Sequence, residues 1–322
     1  MNRQICPICK AEKSTTYLIV NGWESWTKGR NYKIFQCCEC FTIFSENSLE
    51  DIDRFYSDGL YKDTQNRFRI FVELVQYIFQ RERLSKIRKV KKEGKLLDIG
   101  CGKGRFLAYV SRFGWDVYGV EPSSTGRYSA LNKNLRITTT LEELGEKKFD
   151  IVTLWHVLEH IDKPIEFLEK IKDHLDHSGV IIIGVPNIDS LQAKISASKW
   201  LHLDVPRHRL HYSPMSIRNV LNLAGYRVVS IDHFSLEFNV IGMFQSLLNL
   251  LGYETNILYR IIKRDYQCTN TLRCIFQLTM PFLSLLLLPI SVFFTTFESL
   301  IKKGGTILVY AVPVPTSEEF PY

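Results

Sequence analysis

The sequence predicts an α/β protein organised on a largely parallel sheet, and three observations carry that expectation. Short runs rich in valine, isoleucine and leucine alternate with amphipathic helical stretches between residues 95 and 234, the pattern of buried parallel strands covered by helices on both faces. The first run ends in three glycines at alternate positions, Gly100, Gly102 and Gly104, where a strand turns into a helix. The second run ends in a carboxylate, Glu121.

Taken in order, residues 96–99 form a strand, 105–112 a helix, 116–120 a strand and 123–134 a helix, with a short strand near Ile137. Strand 149–155, helix 165–175 and strand 180–185 follow. Ser213-Pro214 reads as an N-cap with proline opening the first turn, and the helix it starts stops at Gly225. Strand 227–234 comes next. The last regular element, 306–312, is a strand separated from its predecessor by a long apolar stretch.

A chain of 322 residues with 45% apolar residues accommodates one α/β domain with additions. Four segments emerge: a Cys-bearing, zinc-ribbon-like module (1–44), a helical connector (45–94), the α/β domain (95–235 with 305–322) and an apolar helical insertion (236–304). Within the connector, Phe68, Phe71, Val72, Val75, Ile78 and Phe79 have helical spacing and are expected to pack on the core. The basic cluster between Arg81 and Lys95 reads as a solvated face, with contact to an anionic surface as the alternative.

A formal net charge of +7 fits an anionic partner such as phospholipid headgroups, a pyrophosphate-bearing lipid carrier or nucleic acid, and chooses none of them. The first residues lack the apolar run of a secretory signal, so the amino terminus is expected in the cytoplasm with its thiols reduced. Cys6-Pro7-Ile8-Cys9 and Cys37-Cys38-Glu39-Cys40 form two C-x-x-C pairs. Two such knuckles supply four thiolates for a closed, structural Zn2+ site. The best ligand set is Cys6, Cys9, Cys37 and Cys40, with Cys38 a bystander or a register alternative.

Glycine tolerates positive φ and lets a ligand approach the backbone, as a turn beneath an adenosyl cofactor requires. Asp98 sits just before the turn, and Glu121 stands where a carboxylate can accept hydrogen bonds from both ribose hydroxyls. The same spacing serves dinucleotide-dependent dehydrogenases, so that reading stays open beside a plain tight turn with a solvated glutamate.

The stretches LLDIGCGKGRF, VYGVEPS, FDIVTLWHVLEHIDKP and IIIGVPN resemble the class I S-adenosylmethionine-dependent methyltransferases, in particular the branch containing ubiquinone-type and small-molecule enzymes. The resemblance implies a Rossmann-like seven-stranded sheet and S-adenosyl-L-methionine as cofactor. It further implies that Gly100, Gly102 and Gly104 line the methionyl and ribose part, that Asp98 lies near the amino group and that Glu121 holds the ribose. Cys101 and Trp155 join these as cofactor-binding residues. Where relatives carry an acidic residue after the third strand for the adenine, this chain has Ile137-Thr138-Thr139-Thr140-Leu141, and no adenine contact is assigned.

Methyl transfer is an in-line displacement, so the protein must hold nucleophile and methyl aligned and offer a base where the nucleophile carries a proton. By resemblance, the stretch Trp155 to His160 borders cofactor and substrate, making His156, Glu159 and His160 catalytic candidates; a hydrogen-bonded cap is the alternative. Relatives with a metal cluster here carry an acidic residue where His156 stands, so no metal is assigned. In the loop after the fifth strand, Arg207 and Arg209 are candidates for binding a phosphate or carboxylate, and His208 or His211 for the base. Ordinary solvated loop chemistry is the alternative there.

From Leu278 to Phe297 the chain carries no charge, a length of roughly 20 residues that matches a membrane span. If the strands at 227 and 306 share one sheet, the chain must leave and return on the same side of any bilayer, which excludes an odd number of crossings. Pro281 and Pro289 favour a bent element, stretch 238–262 is its partner, and Lys263, Arg264, Lys302 and Lys303 flank the pair as anchors. Membrane-surface association and an internal cap are the two readings.

Together these features lead to an enzyme of the cytoplasm, peripheral to the inner membrane face, that methylates a small or lipid-linked metabolite such as a cell-surface glycan or lipid intermediate. A zinc ribbon fused to such a domain resembles both sugar C-methyltransferases and ribosomal RNA guanine methyltransferases. An RNA methyltransferase and a noncatalytic membrane scaffold are therefore the alternatives. Nucleic acid is disfavoured as a partner, because Trp155-His156-Val157 lacks the Asn-Pro-Pro-Tyr type motif and an apolar insertion has no use on RNA.

Overall fold

The computed structural model describes residues 4–23, 27, 29–46, 69–258, 260 and 279–314, and gives the backbone alone for 69–72 and 281. Phe68, Lys263, Arg264 and the side chains of Phe71 and Val72 lie outside the described residues. In chain order the elements begin with β1 (Ser14–Asn21), β2 (Asn31–Cys37), β3 (Ile43–Ser45), α1 (Arg69–Arg88), β4 (Lys95–Ile99) and α2 (Arg105–Val110). Next come β5 (Asp116–Val120), α3 (Ser124–Leu131), β6 (Arg136–Thr138), β7 (Phe149–Trp155), α4 (Pro164–Lys172), β8 (Leu175–Pro186) and α5 (Leu191–Ser196). The chain continues with β9 (Leu210–His211), α6 (Pro214–Leu223), β10 (Tyr226–Asp232), α7 (Ile241–Leu250), α8 (Met280–Leu300) and β11 (Thr306–Pro313).

Two compact units result. One comprises Leu49–Val185, Pro214–Asp232 and Leu308–Tyr322, the other Met1–Ser48, Pro186–Ser213 and His233–Ile307. In the first, a seven-stranded sheet has the order β10-β11-β8-β7-β4-β5-β6. β4 pairs in parallel with β5 and with β7, and the same sense continues to β6 and β8. β10 and β11 pair antiparallel, from Tyr226↔Pro313 to Asp232↔Leu308. Strand β4 is central because Leu96, Leu97 and Ile99 are all buried, a continuous apolar run rather than an alternating one.

The core of this unit gathers Leu96, Leu107, Val110, Ile151, Ile182 and Tyr310. Helix α1 reaches it through Leu84 and Ile87, one helical step past the expected face; Ile78 is exposed. Lys86, from the run read as solvated, is buried against Asp232 at 2.7 Å. Helix α2 tightens into a 3-10 turn, Ser111–Phe113, closed by Gly114 at φ 84°, and so ends earlier than the periodicity predicts. Helix α3 begins at Ser124, after Ser123 Oγ accepts the Gly126 amide at 3.3 Å. Strand order reverses between β4 and β7, and the carboxyl ends of the two strands at such a reversal are the general ligand position in sheets of this kind.

The second unit carries a four-stranded antiparallel sheet, β1-β2-β3-β9. Its fourth strand comes from the stretch read as a substrate-covering loop: Phe44 pairs with Leu210 and Ile43 with His211. Val20, Tyr32, Ile34 and Ile43 share one apolar core with Ile188, Ala193, Trp200 and Leu203. Helices α7 and α8 meet through Phe244, Leu248 and Leu287. The cysteine module and the apolar insertion, separate segments by sequence pattern, thus belong to one compact unit. Helix α8 is one continuous helix that contains Pro289.

Candidate functional site

The turn after β4 requires glycine on two counts. Gly100 and Gly104 have φ of 72° and 65°, a region unfavourable to side chains. A Cβ would moreover lie 2.6 Å from Val157 Cγ2 at Gly100 and 2.5 Å from Leu135 Cδ1 at Gly104. The amides of Gly100 and Cys101 both donate to the Val120 carbonyl, at 2.8 and 3.2 Å, tying the ends of β4 and β5 together. Cys101 contributes backbone to the turn while its thiol is buried beneath it, pushed upward in pKa by that burial.

Two buried carboxylates flank this turn. Glu121 Oε2 accepts the Gly102 amide at 2.7 Å, and Oε1 accepts the Ser123 amide at 2.8 Å. Burial pushes its pKa up, against the pull of these two amides and Arg127. Asp98 accepts a hydrogen bond from the Thr153 hydroxyl at 2.7 Å. Burial pushes its pKa to about 7, opposed by Thr153 and the Arg83 charge. A carboxylate so poorly compensated favours a cation beside it.

At the end of β7, the Trp155 ring stands edge-on to Phe106 with centroids 5.9 Å apart, and the Arg83 guanidinium lies 5.0 Å from the Trp155 ring centre. Sequence reasoning left Arg83 in a solvated run. Its position next to Leu84 and one turn before Ile87, the residues that face the core, was the available signal. His156 adopts φ 55°, a region uncommon for residues with a side chain though more open to histidine than to most, and its amide donates to the Gly184 carbonyl at 2.9 Å. His156 Nδ1 lies 3.2 Å from Oε1 of the fully buried Glu159. Leu158–His160 forms a 3-10 turn, so His160 shares that turn with Glu159. The structure therefore brings Asp98, Glu121, the glycine turn, Trp155, His156, Glu159 and His160 to strand ends of one unit.

The remaining candidates lie in the other unit. Arg207 Nε donates to Asp204 Oδ2 at 2.8 Å, its Nη2 donates to Oδ1 of the same carboxylate, and its guanidinium lies 5.4 Å from the Trp23 ring centre. Arg209 Nη1 reaches the Glu46 carbonyl at 3.5 Å. His208 Nδ1 hydrogen-bonds the His202 carbonyl at 2.8 Å, and His211 Nε2 hydrogen-bonds Ser45 Oγ at 2.9 Å. All four are buried, and burial alone lowers His211 to about 4. The solvated-loop alternative is thereby corrected: strand pairing with β3 draws this stretch inside.

The thiols of Cys6, Cys9, Cys37 and Cys40 lie within 4.8 Å of one another, with Sγ pairs at 3.6 Å (Cys6, Cys40) and 3.5 Å (Cys9, Cys37). The two knuckles repeat one backbone pattern: Cys6 N donates to Ala11 O at 2.9 Å and Cys37 N to Thr42 O at 3.0 Å. Lys10 and Phe41, each after the second cysteine, have φ of 63° and 59°. Cys38 stands outside the cluster.

The strand order, the glycine turn and the carboxylate at the next strand end are features a known family shares. Residues 65–231 match the family described as "Methyltransferase domain". The chain belongs to that family. Among proteins similar to this methyltransferase-domain chain are two ubiquinone biosynthesis O-methyltransferases. The one from Cereibacter sphaeroides is 27% identical over 168 residues, 48% of this chain and 67% of the relative. The one from Rhodopseudomonas palustris is 32% identical over 159 residues, 45% of this chain and 62% of the relative. Among solved structures, a SAM-dependent methyltransferase from Archaeoglobus fulgidus is 19% identical with a TM-score of 0.45, covering 76% of this chain and 99% of its own. Magnesium protoporphyrin IX methyltransferase from Synechocystis with bound SAH is also 19% identical with a TM-score of 0.45, covering 59% and 94%.

Proposed function

We propose that this chain transfers a methyl group from S-adenosylmethionine to a nucleophile on a small or lipid-linked metabolite, acting at the cytoplasmic face of a membrane. The observation that carries the reading is the Glu121 carboxylate held against the glycine turn by the Gly102 amide at 2.7 Å. A carboxylate has about four acceptor sites, so the two amides leave capacity for ribose hydroxyls. Asp98, buried and pushed to about 7, suits the amino group of the cofactor, and the Arg83 charge suits its carboxylate. The residues fit the group: Gly100, Gly102 and Gly104 offer backbone, and Cys101 and Trp155 form part of the wall. When bound, the cofactor supplies an electrophilic methyl on a sulfonium.

The chain's own task is then to align the acceptor, exclude water and take a proton. His156 with Glu159 suits the last, because Glu159 at Nδ1 favours the tautomer in which Nε2 accepts a proton, with His160 on the same turn as Glu159. His211 ranks behind, since at about 4 it is a weak base at neutral pH; His208, whose Nδ1 faces the His202 carbonyl at 2.8 Å, also keeps Nε2 as the basic nitrogen. Arg207 and Arg209 remain the candidates for an anionic group on the substrate. The relatives named for ubiquinone biosynthesis O-methylation support a small acceptor with an oxygen nucleophile.

The four-cysteine cluster is read as a structural Zn2+ site. Thiolates at about 2.3 Å from a tetrahedral zinc lie roughly 3.8 Å apart, close to the 3.5 and 3.6 Å of the two pairs. Calorimetric titration with S-adenosylmethionine tests the main reading. Saturable binding lost on changing Glu121 supports it, and no binding by the wild-type chain refutes it.

A further inference from the structure

Helix α8 wears its polarity inside out. Leu287, Ser291, Thr295 and Glu298 are buried, whereas Phe282, Leu285 and Leu300 are each 78% exposed and Phe293 75%. Leu286, Leu288, Ile290, Val292 and Phe297 are exposed as well. At 3.6 residues per turn these apolar positions sweep roughly 200° of arc. We infer that this outer face of α8 is seated in the acyl layer of a bilayer with anionic headgroups, anchoring the chain as a monotopic protein. The inference deepens the membrane placement proposed above and does not depend on methyl transfer.

Three observations select lipid over water or a second copy. A helix packed on a partner in a globular protein presents an apolar stripe of about 100°, so one partner helix leaves half of this arc in water; lipid covers all of it. The helix also satisfies its own hydroxyls. Ser284, Ser291, Thr295 and Thr296 each donate to the carbonyl four residues back, at 2.7–2.8 Å. Thr296 does so on the exposed face, so no polar group there demands water. Third, the carboxylate of Glu298 is kept inside, accepting from Gln192 Nε2 at 2.6 Å, Gln192 N at 3.2 Å and Gly305 N at 3.1 Å. Lys302 and Lys303, directly beyond the helix, are exposed, placing the nearby free charge opposite in sign to anionic headgroups.

The helix lies along the unit rather than projecting from it. Met280, Leu283 and Leu287 pack with Phe244 and Leu248 at one end. At the other, Glu298 holds Gln192 and Gly305, and Ser299 Oγ donates to the His233 carbonyl at 2.9 Å. A helix fastened at both ends to one compact unit offers a bilayer its side, which satisfies the requirement that the chain leave and return on the same side.

Flotation of the full chain with phosphatidylcholine vesicles, with and without phosphatidylglycerol, tests this. The wild type floats with phosphatidylglycerol vesicles; the double variant Leu285→Asp/Phe293→Asp partitions at least about tenfold less, and Lys302→Glu/Lys303→Glu loses the preference for the anionic vesicles alone. The aspartates enter exposed positions, and an unchanged circular dichroism spectrum and melting transition certify their fold; should they disturb it, the lysine variant carries the test. Wild-type protein that stays at the bottom of both gradients, or an aspartate variant that floats like wild type, overturns the inference. So does a dimer, seen by light scattering, that the aspartates dissociate. Wild-type flotation without cofactor binding leaves the anchor standing and removes the methyl-transfer reading.

Discussion

Glu121 and Gly102 are joined across 19 positions of sequence by a 2.7 Å hydrogen bond from the Gly102 amide to Oε2. The carboxylate therefore shapes the turn beside which we propose the ribose to lie. Glu121→Ala should weaken S-adenosylmethionine binding by roughly tenfold to a hundredfold, since hydrogen bonds to a charged group contribute about 1.5–3 kcal/mol. Calorimetry reads the affinity. Wild-type affinity in the variant would take Glu121 out of the ribose role.

Burial raises the folded Asp98 pKa to about 7, against about 3.9 in an unfolded chain. The folded chain thus keeps a proton that the unfolded chain has lost, and Asp98 lowers stability progressively as pH rises from about 4 to about 7. Urea midpoints measured at about pH 5 and pH 8 should differ less in Asp98→Asn than in the wild type. Glu121, also raised by burial, adds a slope of the same sign in both proteins.

The same titration should couple to the cofactor. An ammonium group beside Asp98 favours its ionised form, so binding near pH 6.5 should release a proton and tighten as pH approaches 8. Calorimetry in buffers of different ionisation enthalpy detects that proton. Identical heats in all buffers would separate Asp98 from the amino group.

Gly104→Ala meets Leu135 Cδ1 at 2.5 Å and Ala130 Cβ at 2.9 Å while φ stays at 65°. Strain of about 1–3 kcal/mol should lower the melting temperature, and displacement of the turn should weaken cofactor binding. His156→Gly offers the contrast, because glycine relieves φ 55°: stability should hold within about 1 kcal/mol while kcat falls by roughly a hundredfold or more. Unchanged kcat would make His156 a purely structural residue.

Metal removal should unfold the cysteine module. Elemental analysis should find about one zinc per chain, and a strong chelator should lower the cooperative melting transition. Cys37→Ser should reproduce that loss, whereas Cys38→Ser, outside the cluster, should retain both metal and stability.

The parts of the fold that could be read from the chain were those fixed by local chemistry. A buried strand must be apolar on both sides, a glycine turn needs its glycines, and Pro214 after Ser213 opens a helix, so β4, the turn and α6 were all legible. Arg83 was harder to place, because a cation among cations reads as solvated until its helix is docked; its place beside Trp155 depends on Leu84 and Ile87 finding the core. The burial of Arg207, Arg209, His208 and His211 rests on β9 pairing with β3, a contact that no local pattern encodes. In α8, composition showed a long apolar stretch, but which face turns inward depends on where Gln192 and Gly305 meet Glu298.

The pairing of Ile43 with His211 also sets an order of events during synthesis. The cysteine knuckles leave the ribosome well before the strand that completes their sheet and the residues Ile188, Ala193, Trp200 and Leu203 that share its core. Contacts so distant in sequence form slowly, because the intervening chain must first be brought to closure. A nascent chain halted before residue 188 would hold its four thiols without the apolar support they have in the finished protein. Cutting the chain after residue 48 would likewise strip β9 of its partner, so the cysteine module is made well before the segments that secure it.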